Sequence, residues 1–316
     1  MKSTMTRELR CFPRVALPLL FLCAAAATRG AENWIEVRSP RFTVATNAGE
    51  KEARRIADQF ELVRATFHSA FSVLRIDPPQ TIVILAAKNE ATMKLLLPEE
   101  WEDKKRVHHA GMYQPGPEKH YVILRTDQEG NNPFHTLYHE YTHALMHLNF
   151  TNIPLWLDEG MAEYLGNAVL SDKKEVRIGV IDPSHLYVLL QNKLLPIEVL
   201  LSVDHGSPHY NEQNRVSVFY AESWALVHYL LFDQEARQKQ LFKQFLQAYQ
   251  KSNDQIAAAR EAFGDLKRFG QTIDTYARRT NFSVGVFKPP LEAADKNYSA
   301  RTLSPGEVLA LRGDFF

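Results

Sequence analysis

From residue 49 to 74, apolar side chains return every three or four positions at Ala53, Ile56, Phe60, Val63, Phe67, Phe71 and Leu74. That period is one buried face of a long amphipathic helix. Before it, "WIEVRSPRFTVATN" predicts two short strands parted at Ser39-Pro40, with Phe42, Val44 and Thr46 alternating in the second. "PPQTIVILAA" predicts a buried strand behind a proline stop, "EATMKLLLPEEW" a short helix, and "HHAGMYQPGPEKHYVILR" a hairpin turning at Pro115-Gly116-Pro117. The pattern becomes helical from residue 132, where Asn132 and Pro133 suit the N-cap and first helical position. Leu137, Tyr141, Ala144, Leu145 and Leu148 then form an apolar stripe. Further helices are predicted at 155–168, 184–192, 217–232, 235–251, 253–263 and 267–279.

These elements predict an α+β chain. Residues 31–131 form an N-terminal α/β subdomain built on a mixed sheet, and 132–287 a helical subdomain. Residues 288–316 begin as a Pro-rich linker and end in a helix capped by Ser304-Pro305-Gly306-Glu307. That last helix stops on two phenylalanines, so it is expected to dock on a further helical region or partner, or to precede more chain. No internal repeat is visible.

Residues 1–30 stand apart. Lys2, Arg7, Arg10 and Arg14 precede the apolar run "VALPLLFLCAAAA" and the small residues of "ATRGAEN", the layout of a secretory signal peptide. The run is short for a membrane span and carries Pro18. The expectation is therefore export to a periplasmic or secreted location, with a retained anchor as the alternative and no stable span after leader removal. Leu20-Phe21-Leu22 are too bulky for a lipobox before Cys23. Both cysteines, Cys11 and Cys23, lie in this leader, so disulfides would not brace the exported chain. The formal net charge is zero, which gives no reason to expect a nucleic-acid partner.

The candidate chemistry lies in "LYHEYTHALMHL". His139 and His143 fall one turn apart on a predicted helix, roughly 6 Å along its axis, so both imidazoles can converge on one ion. Glu140 is rotated about 100° from His139, beside such an ion and positioned to take a proton from metal-bound water. A catalytic zinc needs a third protein ligand and an open fourth position. "IPLWLDEGMAEYL" carries Glu159 and Glu163 four apart on the next predicted helix.

H-E-x-x-H followed by W-L-x-E-G-x-A-E-Y resembles the gluzincin metallopeptidases, and more closely the bacterial peptidase-MA-like domains of unassigned substrate. The likeness is specific over about residues 133 to 166 and looser to about 232. It implies a zincin-like fold with its cleft between the two subdomains, and one Zn²⁺ held by His139, His143 and Glu159. It also implies that Glu163 steadies His139 from behind, and that a peptide or protein is the substrate. A metzincin would continue with glycine and histidine where this chain has Met146 and Asn149. His147, one turn past His143, would stretch three ligands over about 12 Å of one helix. Asp158 is a substitute ligand in place of Glu159.

The resemblance also implies an oxyanion donor after the glutamate ligand. Tyr220 in "VFYAESWALVHYL" matches best, and His228 is the alternative. As a plain packing residue, Tyr220 would instead join Phe219, Trp224 and Val227 in the core. Strand 121–125 would be the sheet edge that receives a substrate strand. "AGMYQPG" lacks the glutamate and asparagine with which aminopeptidases of this clan hold a free N-terminus, which favours endopeptidase action. His108-His109 and the charged run 99–106 read as a solvated turn and face. The expected function is a zinc-dependent peptidase; the alternative is an inactive relative serving as an envelope binding or scaffold module.

Overall fold

The fold was obtained as a computed structural model that describes residues 33–71, 74–98, 111–114, 116, 118–127, 134–171, 175–210, 217–289 and 298–315. The leader, residues 99–110 with His108-His109, and Asn132-Pro133 lie outside them.

Two antiparallel strands, β1 (Ile35–Arg38) and β2 (Phe42–Thr46), open the described chain. Helix α1 (Glu50–Ala70) then crosses over to β3 (Thr81–Ala87), which pairs parallel to β2. After α2 (Glu90–Leu96) come β4 (Gly111–Gln114) and β5 (Lys119–Arg125), an antiparallel hairpin whose β5 pairs parallel to β3. Pleat alternation sends Val44, Ile82, Ile84, Val122 and Leu124 to one face, where Ile56, Phe60, Val63 and Phe67 of α1 cover them. The opposite face holds Ala45, Val83, Leu85, Tyr121 and Ile123.

That opposite face explains the C-terminal segment. The strand β9 (Ser299–Thr302) pairs antiparallel with β1 and completes a six-stranded mixed sheet, β4-β5-β3-β2-β1-β9. Helix α12 (Pro305–Phe315) then lies over the second face, where Leu303 and Phe315 join Met93 and Leu96 of α2. Asp314 accepts from Lys119 at 3.0 Å and from the Tyr121 hydroxyl at 3.2 Å. The tail read as linker is therefore partly a strand, and the final helix docks on the chain's own sheet. Every residue of β9 is exposed, so no apolar alternation announced it.

Helix α3 (His135–Asn149) meets α1 through its aromatic rings, and the remaining helices pack on one another. Helix α3 starts with Phe134 in the cap position, presents Tyr138 and Tyr141 to α1 and buries Leu145 in the same core. Tyr138 meets Phe60 at 6.1 Å and Tyr141 stacks on Phe67 at 5.9 Å between ring centres. Helix α4 (Leu155–Gly166) is buried along its whole length. A small antiparallel sheet follows from β6 (Val169–Leu170), β7 (Val176–Ile178) and β8 (Gly285–Phe287). Helices α5 (Pro183–Gln191) and α6 (Ile197–Ser202) precede α7 (Val218–Phe232), which is buried on all sides over most of its length, as a central helix must be.

Residues 235–251, read as one helix, are two: α8 (Gln234–Gln238) and α9 (Leu241–Ser252), broken where Gln240 turns left-handed at φ 53°. Helices α10 (Gln255–Phe263) and α11 (Leu266–Ala277) follow, each capped by an aspartate, Asp254 and Asp265. The strands β6 to β8 and helix α6 are too short to leave a periodic signal. A second correction concerns the sheet edge. Strand β5 lies between β3 and β4, so β4 is the edge and residues 121–125 are interior. Among the described residues, no helix is long and apolar enough to cross a membrane.

Candidate metal centre

Helix α3 has two working faces. Tyr138 and Tyr141 bind it to α1, while His135, His139, His143 and His147 recur every four residues and turn toward α4. Helix α4 can approach this stripe because it lies deep in the core, held from behind by α7. The crossing of α4 and α7 falls at Gly160, where an added Cβ would stand 2.6 Å from the Ser223 carbonyl oxygen and 2.7 Å from a Val227 methyl. Only glycine lets the helices meet so closely, and it immediately follows Glu159 in sequence.

The result is a triangle of donor atoms. His139 Nε2 and His143 Nε2 stand 3.0 Å apart, and Glu159 Oε2 lies 3.3 Å from the first and 3.5 Å from the second. Tetrahedral coordination at ~2.05 Å sets donor pairs roughly 3.3 Å apart, and a point equidistant from these three atoms lies about 1.9 Å from each. Two nitrogens and one carboxylate oxygen are also donors that zinc accepts. The residues present therefore fit a divalent metal ion.

The nitrogens on the far side of both rings are also held. Glu163 Oε1 stands 3.1 Å from His139 Nδ1, and Asp158 Oδ1 stands 3.0 Å from His143 Nδ1. A carboxylate at each Nδ1 favours the ring angle and tautomer in which, once the ring is neutral, the Nε2 lone pair faces the triangle. Asp158, read as a substitute ligand, is thus behind His143, and its other oxygen reaches His147 Nε2 at 3.0 Å. His147 itself is 60% exposed at the side chain. The second oxygen of Glu163 faces His135 Nε2 at 3.2 Å and His185 Nδ1 at 3.7 Å. Asp158, Glu159 and Glu163 are all buried. Three carboxylates in one low-dielectric pocket demand positive charge.

The ionisation behaviour follows from that crowding. Burial alone would raise the Glu159 carboxyl, but His139 and His143 outweigh it and bring it down to about 2. Burial would lower His143, yet Asp158 and Glu159 outweigh that and hold its pKa well above the ordinary 6.5. Glu163 is held well below its ordinary range, since His185, His139 and His135 outweigh its desolvation.

Glu140 follows His139 on α3 and is half-buried. It lies within electrostatic reach of Tyr113 on β4, whose hydroxyl is raised by burial and then by the negative charge of Glu140. The Tyr113 hydroxyl pairs with His120 Nδ1 on β5.

The two proposed oxyanion donors have different fates. Tyr220 is fully buried on α7, and its ring stacks on Tyr210 at 6.0 Å. His228 points elsewhere in the core, 2.8 Å from the Tyr276 hydroxyl and 2.8 Å from the Ser283 carbonyl. The residue that reaches the triangle is Tyr210, whose hydroxyl donates to Glu159 Oε1 at 3.3 Å. Tyr210 belongs to the segment between α6 and α7, and no periodicity or motif marks it.

Over residues 134–255 the chain is similar to a family described as a protein of unknown function, DUF1570. That span holds the triangle, Glu140, both carboxylates behind the rings, Tyr210 and Tyr220. No curated protein matches the chain.

Proposed function

We propose that this chain is a zinc-dependent peptidase of gluzincin type, exported by its leader and acting on peptide or protein substrates within the chain more than at its amino terminus. The observation that carries the reading is the donor triangle of His139, His143 and Glu159, with a carboxylate behind each ring. Zinc held there supplies Lewis-acid polarisation of the scissile carbonyl and lowers the pKa of the attacking water.

The chain's own residues do the rest. The Glu140 carboxylate accepts a proton from the water and delivers it to the leaving amine nitrogen. The tyrosine hydroxyls of Tyr210 and Tyr220 are the candidate donors to the oxyanion, and Tyr210 has the nearer position through its bond to Glu159. A substrate laid along the outer edge of β4 would pass Tyr113 and come alongside Glu140, with main-chain hydrogen bonds holding it extended.

The test is metal content and turnover together. Wild-type protein is expected to hold about one zinc per chain, set by the three donors, and to cleave a broad peptide library, with loss of both on chelation. Glu140→Gln should keep the zinc and lose turnover, while Glu159→Ala should lose the zinc. A Glu140→Gln protein that cleaves peptides at the wild-type rate would end the proposal.

A further inference from the structure

A cavity of about 930 Å³ opens between α6, α10 and α11, and its wall includes Glu222 of α7. It shares no residue with the donor triangle. Glu222 precedes Ser223, which faces α4, and so points about 100° around the helix from it. The residue is only 2% exposed. One carboxyl oxygen accepts from the Leu195 backbone N–H at 2.8 Å, and among the described residues nothing else hydrogen-bonds the side chain. A buried carboxyl with an unused oxygen in a cavity wall asks for a ligand that carries donors.

The charges around it decide the class. Lys193, Lys267 and Asp274 stand at its exposed rim, and Asp274 is paired with Arg278 at 3.4 Å. Arg278 is near enough to act on Glu222 but donates to the Leu189 and Asn192 carbonyl oxygens and to Asp274, and so brings Glu222 no direct partner. Arg260 is paired with Glu198 at 3.0 Å. The deep end therefore holds one acid, Glu222, and the mouth carries charges of both signs. An anion would meet Glu222 at the bottom, and an apolar ligand would leave the free oxygen unpaired. A primary ammonium brings three N–H donors and one positive charge, which match the free oxygen of an ionised Glu222.

We infer that this cavity is a second binding site, for a primary ammonium group, with Glu222 as its deep anchor and the two rim lysines facing any carbonyl or carboxylate that follows. The ammonium can come from a small amine or from the amino terminus of a peptide. Burial, and then the negative charge of Asp274, raise the Glu222 carboxyl to about 8, so entry of the cation displaces a proton.

Titration calorimetry on the metal-loaded full chain tests this with n-butylamine, alanyl-alanine amide, its N-acetylated form and n-butanol. Saturable binding is expected for the two amines and none for the acetylated peptide or the alcohol. Equal affinity for both amines would identify a small-amine site, and preference for the dipeptide amide a peptide-terminus site. Glu222→Gln retains an acceptor for Leu195 N–H and should weaken amine binding at least tenfold with zinc content unchanged. Thr275→Trp, which fills the mouth from an exposed position, should do the same. Amine binding that survives both substitutions, or neutral ligands that bind as well as amines, would overturn the inference, as would the absence of amine binding to the wild type. Zinc content and peptide cleavage are read separately, so failure here leaves the proposed catalysis to its own test.

Discussion

Asp158→Ala separates a residue that binds metal from one that orients a ligand. In the folded chain Asp158 stands 3.0 Å from His143 Nδ1 through one oxygen and 3.0 Å from His147 Nε2 through the other, and is itself buried. Its removal leaves the His143 Nδ1–H inside the protein with no carboxylate, a cost of about 1–3 kcal/mol for an unsatisfied buried donor. At about 1.4 kcal/mol per factor of ten, zinc affinity should fall roughly 5- to 150-fold, the range typical of partners behind metal-bound histidines. Competition against a chromophoric zinc chelator at pH 7.5 measures this directly. Glu159→Ala removes a donor of the triangle itself, so it should lose far more, and its stoichiometry should fall to zero at chelator concentrations that leave Asp158→Ala loaded. Asp158→Asn should fall between wild type and alanine, because an amide oxygen can still accept but carries no charge. The reasoning is refuted if Asp158→Ala binds zinc within twofold of wild type. It is equally refuted if Asp158→Ala abolishes binding while Glu159→Ala does not, since the two residues would then have exchanged roles.

Other outcomes follow from the same geometry. Gly160→Ala should destabilise the protein by about 1–3 kcal/mol in urea unfolding, since its methyl must displace the α7 backbone at Ser223; an unchanged midpoint would mean the α4–α7 crossing is looser than described. Zinc affinity should drop as pH falls, because His143 holds its proton well above pH 6.5 in the metal-free chain and binding must release it; a flat profile from pH 8 to 6 would contradict this. Glu222 has an ordinary pKa of 4.5 and is raised to about 8 by burial, with a smaller contribution from Asp274. Between those values the folded chain holds a proton that the unfolded chain has lost, so the contribution of Glu222 to stability is present below the lower value. It is lost as pH rises through the upper one, at about 1.4 kcal/mol for each pH unit. Glu222→Gln should therefore gain stability relative to wild type as pH goes from 5 to 8, measured as paired denaturation curves. An advantage that does not grow with pH would show that the carboxyl ionises freely.

Much of the centre was legible along the chain because its geometry is local. Two histidines four residues apart on a helix converge whatever surrounds them, and the next residue necessarily lies beside the ion they would hold. The long apolar face of α1 and the strands β1 to β5 were readable for the same reason: their periodicity is a property of consecutive residues. Spacing alone left the carboxylates as candidates; their parts, Glu159 on the ion and Glu163 behind His139 with Asp158 as a substitute ligand, came only from the resemblance. Asp158 and Glu159 are neighbours in sequence, and only the depth at which α4 crosses α3 turns Glu159 toward both Nε2 atoms and Asp158 toward Nδ1. That depth is fixed from the other side, by Gly160 against Ser223 of α7, some sixty residues later.

The same distinction accounts for what the sequence missed. Tyr210 lies in an aperiodic segment, so its approach to Glu159 depends on where α6 and α7 set the ends of that segment. Strand β9 has no apolar alternation because it is an exposed edge, and it exists only because β1 offers unpaired backbone groups. The residue pattern determined the helices, the strands and the donor types; long-range packing decided which carboxylate met which ring, which strand formed the edge, and where the last helix came to rest. Spacing along a chain is set by covalent geometry, whereas contacts between distant segments are chosen by burial and by hydrogen bonds that exist only after the chain has closed on itself.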